Sequence, residues 1–104
     1  MGMTPEGKIK HRLDNMLKSL GVWYFPPQAG PFGKSGIPDR IVCIRGQFIG
    51  IEAKKDNKTL PTALQLKCML EIEKAGGTCF VVYDDDTIDM VRLYLQGIIT
   101  RASH

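Results

Sequence analysis

Residues 40–53 read RIVCIRGQFIGIEA, and this stretch decides the fold. Two apolar runs, Arg40–Ile44 and Gln47–Ala53, are rich in β-branched residues and predict two β-strands. Arg45-Gly46 lies between the runs and predicts a tight turn, because short glycine-containing turns reverse the chain between antiparallel strands. The stretch therefore predicts an antiparallel hairpin.

The register of this hairpin decides where two acidic residues lie. With a two-residue turn, Ile44 pairs with Gln47, and counting back along the ladder puts Asp39 opposite Glu52. A three-residue turn would instead pair Arg40 with Glu52 and send Asp39 to the opposite face of the sheet. A site that uses both carboxylates therefore requires the shorter turn.

Patterns on both sides of the hairpin complete the predicted fold. Apolar residues at helical spacing predict helices over residues 4–20 and 62–75, and a last helix from Thr87 through Leu95. Short apolar runs predict strands over residues 22–25 and 78–83, and the Pro- and Gly-rich residues 26–36 predict a loop. This order is typical of an α/β fold, here a small mixed central sheet flanked by helices.

The composition is that of an ordinary globular protein. The 104 residues fit a single domain over 1–104, and the formal net charge of +3 permits a nucleic-acid partner without requiring one. The three cysteines lack the spacing of a zinc site, and we therefore expect a protein of a reducing compartment. The apolar residues around Cys43 and Cys79 predict that these two side chains lie in the core. No membrane span or signal peptide is evident, so we expect a soluble intracellular protein.

Asp39, Glu52 and Lys54 form the constellation with the clearest chemistry. Glu52 and Lys54 face the same side of their strand, and the shorter turn brings Asp39 to them. Two convergent carboxylates repel each other unless a cation lies between them, and oxygen ligands suit Mg²⁺ or Mn²⁺. Ordinary exposed charges at strand ends are the alternative. Glu52 nevertheless interrupts the apolar run QFIGIEA, where a charge is costly.

The order and spacing of several short motifs resemble a known family of nucleases. The motifs are Glu6 in the first predicted helix, Gly36-Ile37-Pro38-Asp39, Glu52-Ala53-Lys54, and Gln65 in the next helix. They precede a Gly-Gly turn into an apolar strand. The chain is similar in these features to the virus-type replication-repair nucleases, the VRR-NUC family of the PD-(D/E)XK superfamily, from Glu6 to about Tyr83.

This resemblance implies a PD-(D/E)XK core and a metal site. It implies that Asp39 and Glu52 bind the metal, with the backbone carbonyl of Ala53 as a further ligand. Glu6 would complete the site from the first helix or contribute through water. The alternative for Glu6 is simply a favourable position near the positive end of a helix. Asp14 is another acid on this helix, but it fits the family pattern less well.

The resemblance also implies roles for Lys54 and Gln65. Lys54 would be the catalytic lysine, and Gln65 would lie near it and near the scissile phosphate. The alternative for Gln65 is a polar residue on an amphipathic helix. Small stand-alone phage and bacterial members resemble Holliday-junction resolvases. This similarity implies a homodimer that acts on branched DNA in the cytoplasm of a bacterial cell or phage-infected host, without an organic cofactor.

Basic residues provide candidate contacts to DNA phosphates, although solubility alone would also explain exposed charges. The candidates are Lys34, Arg40, Lys55 and Lys58. The loop over residues 26–35 is a candidate for reaching DNA or a partner subunit.

Three further groups have weaker patterns. The cluster Trp23-Tyr24-Phe25 favours packing in the core or a dimer interface over stacking on bases. Asp84-Asp85-Asp86 lacks the other ligands of a calcium loop and predicts a solvated turn at a helix start. His11 and His104 have no partner pattern and receive no role.

The sequence therefore predicts an Mg²⁺- or Mn²⁺-dependent endonuclease that hydrolyses phosphodiester bonds in DNA, with Holliday junctions as the favoured substrate. A nonenzymatic DNA-binding module on a nuclease fold is an alternative, although a pure binder needs no buried carboxylate pair. A nuclease acting on RNA or on other DNA structures is a third hypothesis.

Overall fold

The computed structural model describes residues 2–28 and 33–102. Three helices span Pro5–Leu20 (α1), Ala63–Lys74 (α2) and Asp85–Ala102 (α3). Four strands span Trp23–Phe25 (β1), Arg40–Ile44 (β2), Gln47–Ala53 (β3) and Thr78–Val82 (β4). Among the described residues, no helix is both long and apolar enough to cross a membrane.

The four strands form one mixed sheet in the order β1-β2-β3-β4. The first three strands are antiparallel, whereas β4 runs parallel to β3 after the α2 crossover. This arrangement confirms the predicted α/β fold with a small mixed sheet between helices.

The hairpin between β2 and β3 has the two-residue turn that the sequence predicts. Ile44 pairs with Gln47, and the ladder continues without a bulge to the pair Arg40 and Ile51. Arg45 and Gly46 have φ angles of 50° and 78°, so both turn residues adopt the left-handed backbone typical of tight hairpins. The next position along this register puts Asp39 beside Glu52.

The main hydrophobic core lies between one face of the sheet and the helices α1 and α3. Its members alternate along the strands and recur at helical spacing, as expected for one buried face of each element. They include Leu13, Leu17, Val42, Ile49, Ile51, Val82, Val91 and Leu95. The helix α2 packs on the opposite face of the sheet. Glu52 lies on that face, because it alternates along β3 with the core residues Ile51 and Ala53.

The structure corrects the predicted start and end of the last helix. Thr87 was expected to cap it, but α3 begins at Asp85 and continues past Leu95 to Ala102. The carboxylate of Asp84 accepts the amide hydrogen of Thr87 at 2.8 Å, and the Thr87 hydroxyl accepts from the Asp84 amide at 3.1 Å. This reciprocal pair resembles a capping box and satisfies the first amides of the helix.

The structure also corrects the prediction that Cys43 is a core residue. Cys43 is exposed, because it lies on the face of β2 opposite to the main core. Cys79 is half-buried, and Cys68 is buried. The apolar run IVCI contains side chains of both faces, so its composition alone did not identify the exposed one.

Gly36 fixes the approach of the loop that leads to Asp39. Its φ angle is 76°, and a Cβ atom placed there would lie 2.4 Å from the backbone oxygen of Leu64. Two residues later, Pro38 packs over β3 at Gly50, where a Cβ atom would lie 2.8 Å from the Pro38 ring. Both glycines permit close packing of the loop that a larger residue would prevent.

We predict that Gly36→Ala destabilises the protein more than Gly46→Ala does. The turn residue Gly46 has a similar φ of 78° but open space around it, so alanine there adds only backbone strain of about 1–2 kcal/mol. Alanine at Gly36 adds a clash with the backbone of α2. Urea unfolding of both variants measures the difference, and equal losses of unfolding free energy would contradict the packing argument.

Candidate active site

Two carboxyl groups meet where β2 begins and β3 ends. The backbone amide of Asp39 donates to Oε1 of Glu52 at 3.2 Å. The amide of Ala53 donates to Oδ2 of Asp39 at 2.8 Å. The Glu52 residue is 2% exposed, although it carries an ionisable group. The hairpin register therefore brings the buried Glu52 and the partly exposed Asp39 together.

Burial changes the acidity of Glu52. Desolvation, followed by hydrogen bonding and repulsion from the nearby Asp39 carboxyl, raises the pKa of Glu52 from its ordinary 4.5 to about 7. The ammonium group of Lys54 opposes this shift, since its Nζ lies 3.3 Å from Oε2 of Glu52. A second cation beside these carboxyl groups would stabilise their ionised form further.

Lys54 is held by the first turn of α2. Its Nζ donates to Oε1 of Gln65 at 2.9 Å, and the lysine residue is 6% exposed. The same Gln65 oxygen accepts a hydrogen bond from the backbone amide of Thr62 at 2.8 Å. The backbone amide of Gln65 in turn donates to the Thr62 hydroxyl at 3.2 Å. Gln65 therefore completes a capping box at the start of α2 and also holds the ammonium group of Lys54 in place.

Arg40 ties β2 to α1 through an ion pair with Asp14. Its Nε and Nη2 donate to the two oxygens of Asp14 at 2.6 and 2.9 Å, and Nη1 donates to the Asp39 carbonyl at 2.7 Å. This hydrogen-bonded pair raises the pKa of Arg40. The guanidinium group thus holds the backbone of Asp39 from inside the protein, and the predicted phosphate contact of Arg40 stays a prediction.

A comparison with solved structures finds a similar fold. A solved structure described as a VRR_NUC domain superposes with a TM-score of 0.76 and 30% sequence identity, covering 86% of this chain and 95% of that chain. The chain belongs to the VRR-NUC family. Its fold is accordingly that of a nuclease domain. No protein-family model matches the sequence, and no curated protein matches it.

Glu6 lies at the edge of this VRR-NUC site and reaches it through Lys10. The Nζ of Lys10 lies 3.4 Å from Oε2 of Glu6 and 3.5 Å from Oδ1 of Asp39. No motif in the sequence singles out Lys10. Its spacing of four residues from Glu6 signals an ion pair on one helix, whereas its contact with Asp39 depends on how α1 packs on the sheet.

The structure distributes the predicted phosphate-binding lysines over two surfaces. Lys34 forms an exposed ion pair with Glu71 on α2, with Nζ and Oε1 3.3 Å apart. Lys55 and Lys58 are exposed directly after β3 and form no ion pair with any described residue. They lie on the loop that follows Lys54, so they remain candidates for DNA contact.

Other predicted groups lie apart from the site or outside the described residues. Asp84 caps α3, and hydrogen bonds from Thr87 lower the pKa of its carboxyl group. Asp14 is engaged by Arg40 and does not join the carboxyl pair. The predicted DNA-reaching loop includes residues 29–32, which with His104 lie outside the part of the chain that the structure describes.

The donors at the site suit a hard divalent cation. Within residues 2–28 and 33–102, no group of three or more His, Cys, Asp or Glu side chains converges on one point. Asp39 and Glu52 do converge, and Mg²⁺ commonly binds one or two carboxylates and fills its other positions with water and substrate phosphate. The mutually repelling carboxyl groups of buried Glu52 and partly exposed Asp39 therefore fit a metal of this kind.

We predict that Glu52 makes the metal-free protein less stable as the pH rises. The folded-state pKa of about 7 exceeds the ordinary value of 4.5, so the protonated form is favoured by folding. This contribution is fully present below about pH 4.5 and is lost as the pH rises through 7. Glu52→Gln removes the titration, so the variant should gain stability relative to wild type between pH 5 and pH 8.

Urea unfolding in EDTA at several pH values measures this difference. The slope of free energy against urea concentration should be the same for both proteins, which ensures that their unfolded states are comparable. A difference in stability between variant and wild type that does not change with pH would contradict the raised pKa of Glu52.

Proposed function

We propose that this VRR-NUC domain is an Mg²⁺- or Mn²⁺-dependent endonuclease that hydrolyses phosphodiester bonds in DNA. The observation that carries the proposal is the buried position of Glu52 beside Asp39 and Lys54. A protein that only binds DNA gains nothing from a buried carboxyl group held beside a second one, since its desolvation and their mutual repulsion oppose folding. The arrangement is explained when these groups hold a catalytic cation.

A divalent metal at this site would supply charge stabilisation on the phosphate and lower the pKa of the attacking water. Asp39 and Glu52 would hold it, with the Ala53 carbonyl as the further ligand. Lys54 is positioned to orient the water or to neutralise negative charge developing on the phosphate. In the reaction, the attacking water gives up one proton to solvent and its oxygen forms a bond to phosphorus. One ester P–O bond breaks, and the departing sugar oxygen takes a proton from solvent.

Gln65 contributes by positioning Lys54. An ammonium group has three donors, and one of them is directed to Oε1 of Gln65 at 2.9 Å. The contact with Glu52 at 3.3 Å uses a second direction. These two contacts restrict a flexible side chain to one orientation, which is the requirement for a preorganised catalytic group. Gln65 therefore supports the chemistry without itself exchanging a proton.

We propose branched DNA as the substrate, with a homodimer presenting two active sites to two strands. A row of exposed apolar residues supports the dimer. Trp23, Cys43 and Phe48 are neighbours across β1, β2 and β3, and Trp23 and Phe48 are 62% and 46% exposed. Exposed apolar patches of this kind mark interaction surfaces. A two-fold interface would use the same patch on both subunits.

An apolar groove continues this row of exposed residues under α2. The groove encloses about 710 Å³ and is lined by side chains that include Phe25, Ile41, Phe48 and Ile72. Trp23 and Phe25 also contact each other, with ring centroids 5.4 Å apart. The groove and the row form one surface on the α2 side of the sheet, large enough to receive side chains of a second subunit.

We predict that Asp39→Asn and Glu52→Gln each lower the cleavage rate of a labelled four-way junction by at least about 100-fold. Lys54→Met should produce a similar loss. Asp86→Asn removes an exposed acid on α3, far along the chain from the site, and serves as the matched control. Cleavage should require Mg²⁺ or Mn²⁺ and stop in EDTA.

The same assay should include flap, duplex and single-stranded DNA and a matched RNA junction. Paired nicks confined to the DNA junction are the expected result. Full activity in both carboxylate variants would contradict the proposed site. Metal-independent binding without cleavage of any substrate would favour the nonenzymatic DNA-binding module, and preferential cleavage of the RNA junction would redirect the proposal to RNA.

We predict that Trp23→Lys combined with Phe48→Lys weakens dimerisation at least about tenfold, because both changes put charge into an apolar interface. Sedimentation should show wild type near twice 11.6 kDa and the double variant near 11.6 kDa at the same concentration. Leu93→Lys changes an apolar residue of α3 that is also exposed and serves as the control. A wild-type protein that sediments as a monomer would contradict the dimer.

A further inference from the structure

Lys10 holds a cationic group against the carboxylate that the proposed metal needs. Its Nζ lies 3.5 Å from Oδ1 of Asp39 and 3.4 Å from Oε2 of Glu6. The other oxygen of Asp39, Oδ2, accepts the Ala53 amide at 2.8 Å. Oδ1 is therefore the Asp39 oxygen that remains for a metal, and Lys10 is the group that faces it.

The position of Lys10 is set by the first helix and by its packing on the sheet. Glu6 and Lys10 lie one turn apart on α1, so their side chains share one face of the helix. The neighbouring residue Ile9 is buried in the main core, and Arg40 ties the same helix to β2 through Asp14. These contacts keep Lys10 over the start of β2, where Asp39 lies.

Charge balance explains why a lysine is useful at this position. Glu52 already has the ammonium group of Lys54 at 3.3 Å, whereas Asp39 has Lys10 as its cationic partner at the side-chain oxygen. Without Lys10, the carboxylates of Glu6 and Asp39 would lose the ammonium group that both of them contact. An arriving divalent cation would take over the neutralising role of Lys10 and would repel its ammonium group.

We propose that Lys10 is the resident counter-ion of the metal-free site and that a divalent cation binds Asp39 by displacing it. The inference rests on the proposed metal-dependent function. Lys10 therefore lowers the affinity of the site for metal, because binding must break the ion pair between Lys10 and Asp39. Its flexible four-carbon stem lets the ammonium group move away while α1 stays in place.

The test is Mn²⁺ binding measured by calorimetry on the full chain without DNA. Lys10→Met and Lys10→Gln should bind Mn²⁺ about threefold to tenfold more tightly than wild type, as expected from loss of a competing, partly exposed ion pair. Lys10→Arg retains the charge and should stay close to wild type. Lys8→Met removes a lysine from an exposed position of the same helix, and it controls for the change in net charge.

The outcomes separate this inference from the proposed function. Equal Mn²⁺ affinities for Lys10→Met and Lys8→Met, or weaker binding by Lys10→Met, would overturn the role of Lys10 alone. If Mn²⁺ binding is lost in Glu52→Gln in the same experiment, the proposed metal site is supported even where the role of Lys10 is overturned. A wild-type protein that binds no Mn²⁺ would overturn the metal site and this inference with it. Circular dichroism establishes that each variant is folded.

Discussion

Glu52 carries an ionisable carboxyl group into the interior of the sheet, and the surrounding structure is organised to accommodate it. Three groups converge on it: the backbone amide of Asp39, just before β2; the ammonium of Lys54, just after β3; and, through that lysine, Gln65 of α2. No buried side-chain nitrogen or oxygen among the described residues lacks a hydrogen-bond partner. Three elements must therefore fold correctly before the carboxyl group is stabilised.

Much of this site could be predicted from the sequence because its contacts are set by local geometry. A two-residue turn at Arg45-Gly46 determines every pair of the hairpin, and the alternation of a strand then assigns Glu52 and Lys54 to one face. The position of Gln65 beside Lys54 came instead from resemblance to VRR-NUC proteins. The spacing of residues in a helix does not specify which strand that helix contacts.

The features that sequence analysis missed depend on contacts between distant elements. The pairs Lys10–Asp39 and Asp14–Arg40 form only when α1 packs beside the start of β2, so the spacing of residues within α1 does not reveal them. The length of α3 was underestimated because the sequence after Leu95 is weakly patterned. Its apolar face is stabilised by packing on the core, which overrides a weak local preference.

The double use of one Gln65 oxygen links the integrity of the site to a small part of the fold. This oxygen accepts both from the Thr62 amide, which begins α2, and from Lys54. Helix ends fray at a lower free energy than the whole protein unfolds, so the first turn of α2 can open while the sheet stays intact. Each such opening releases Lys54 from one of its two partners. The orientation of Lys54 is thus lost at the free energy that opens one helical turn, which is lower than the free energy that unfolds the whole domain.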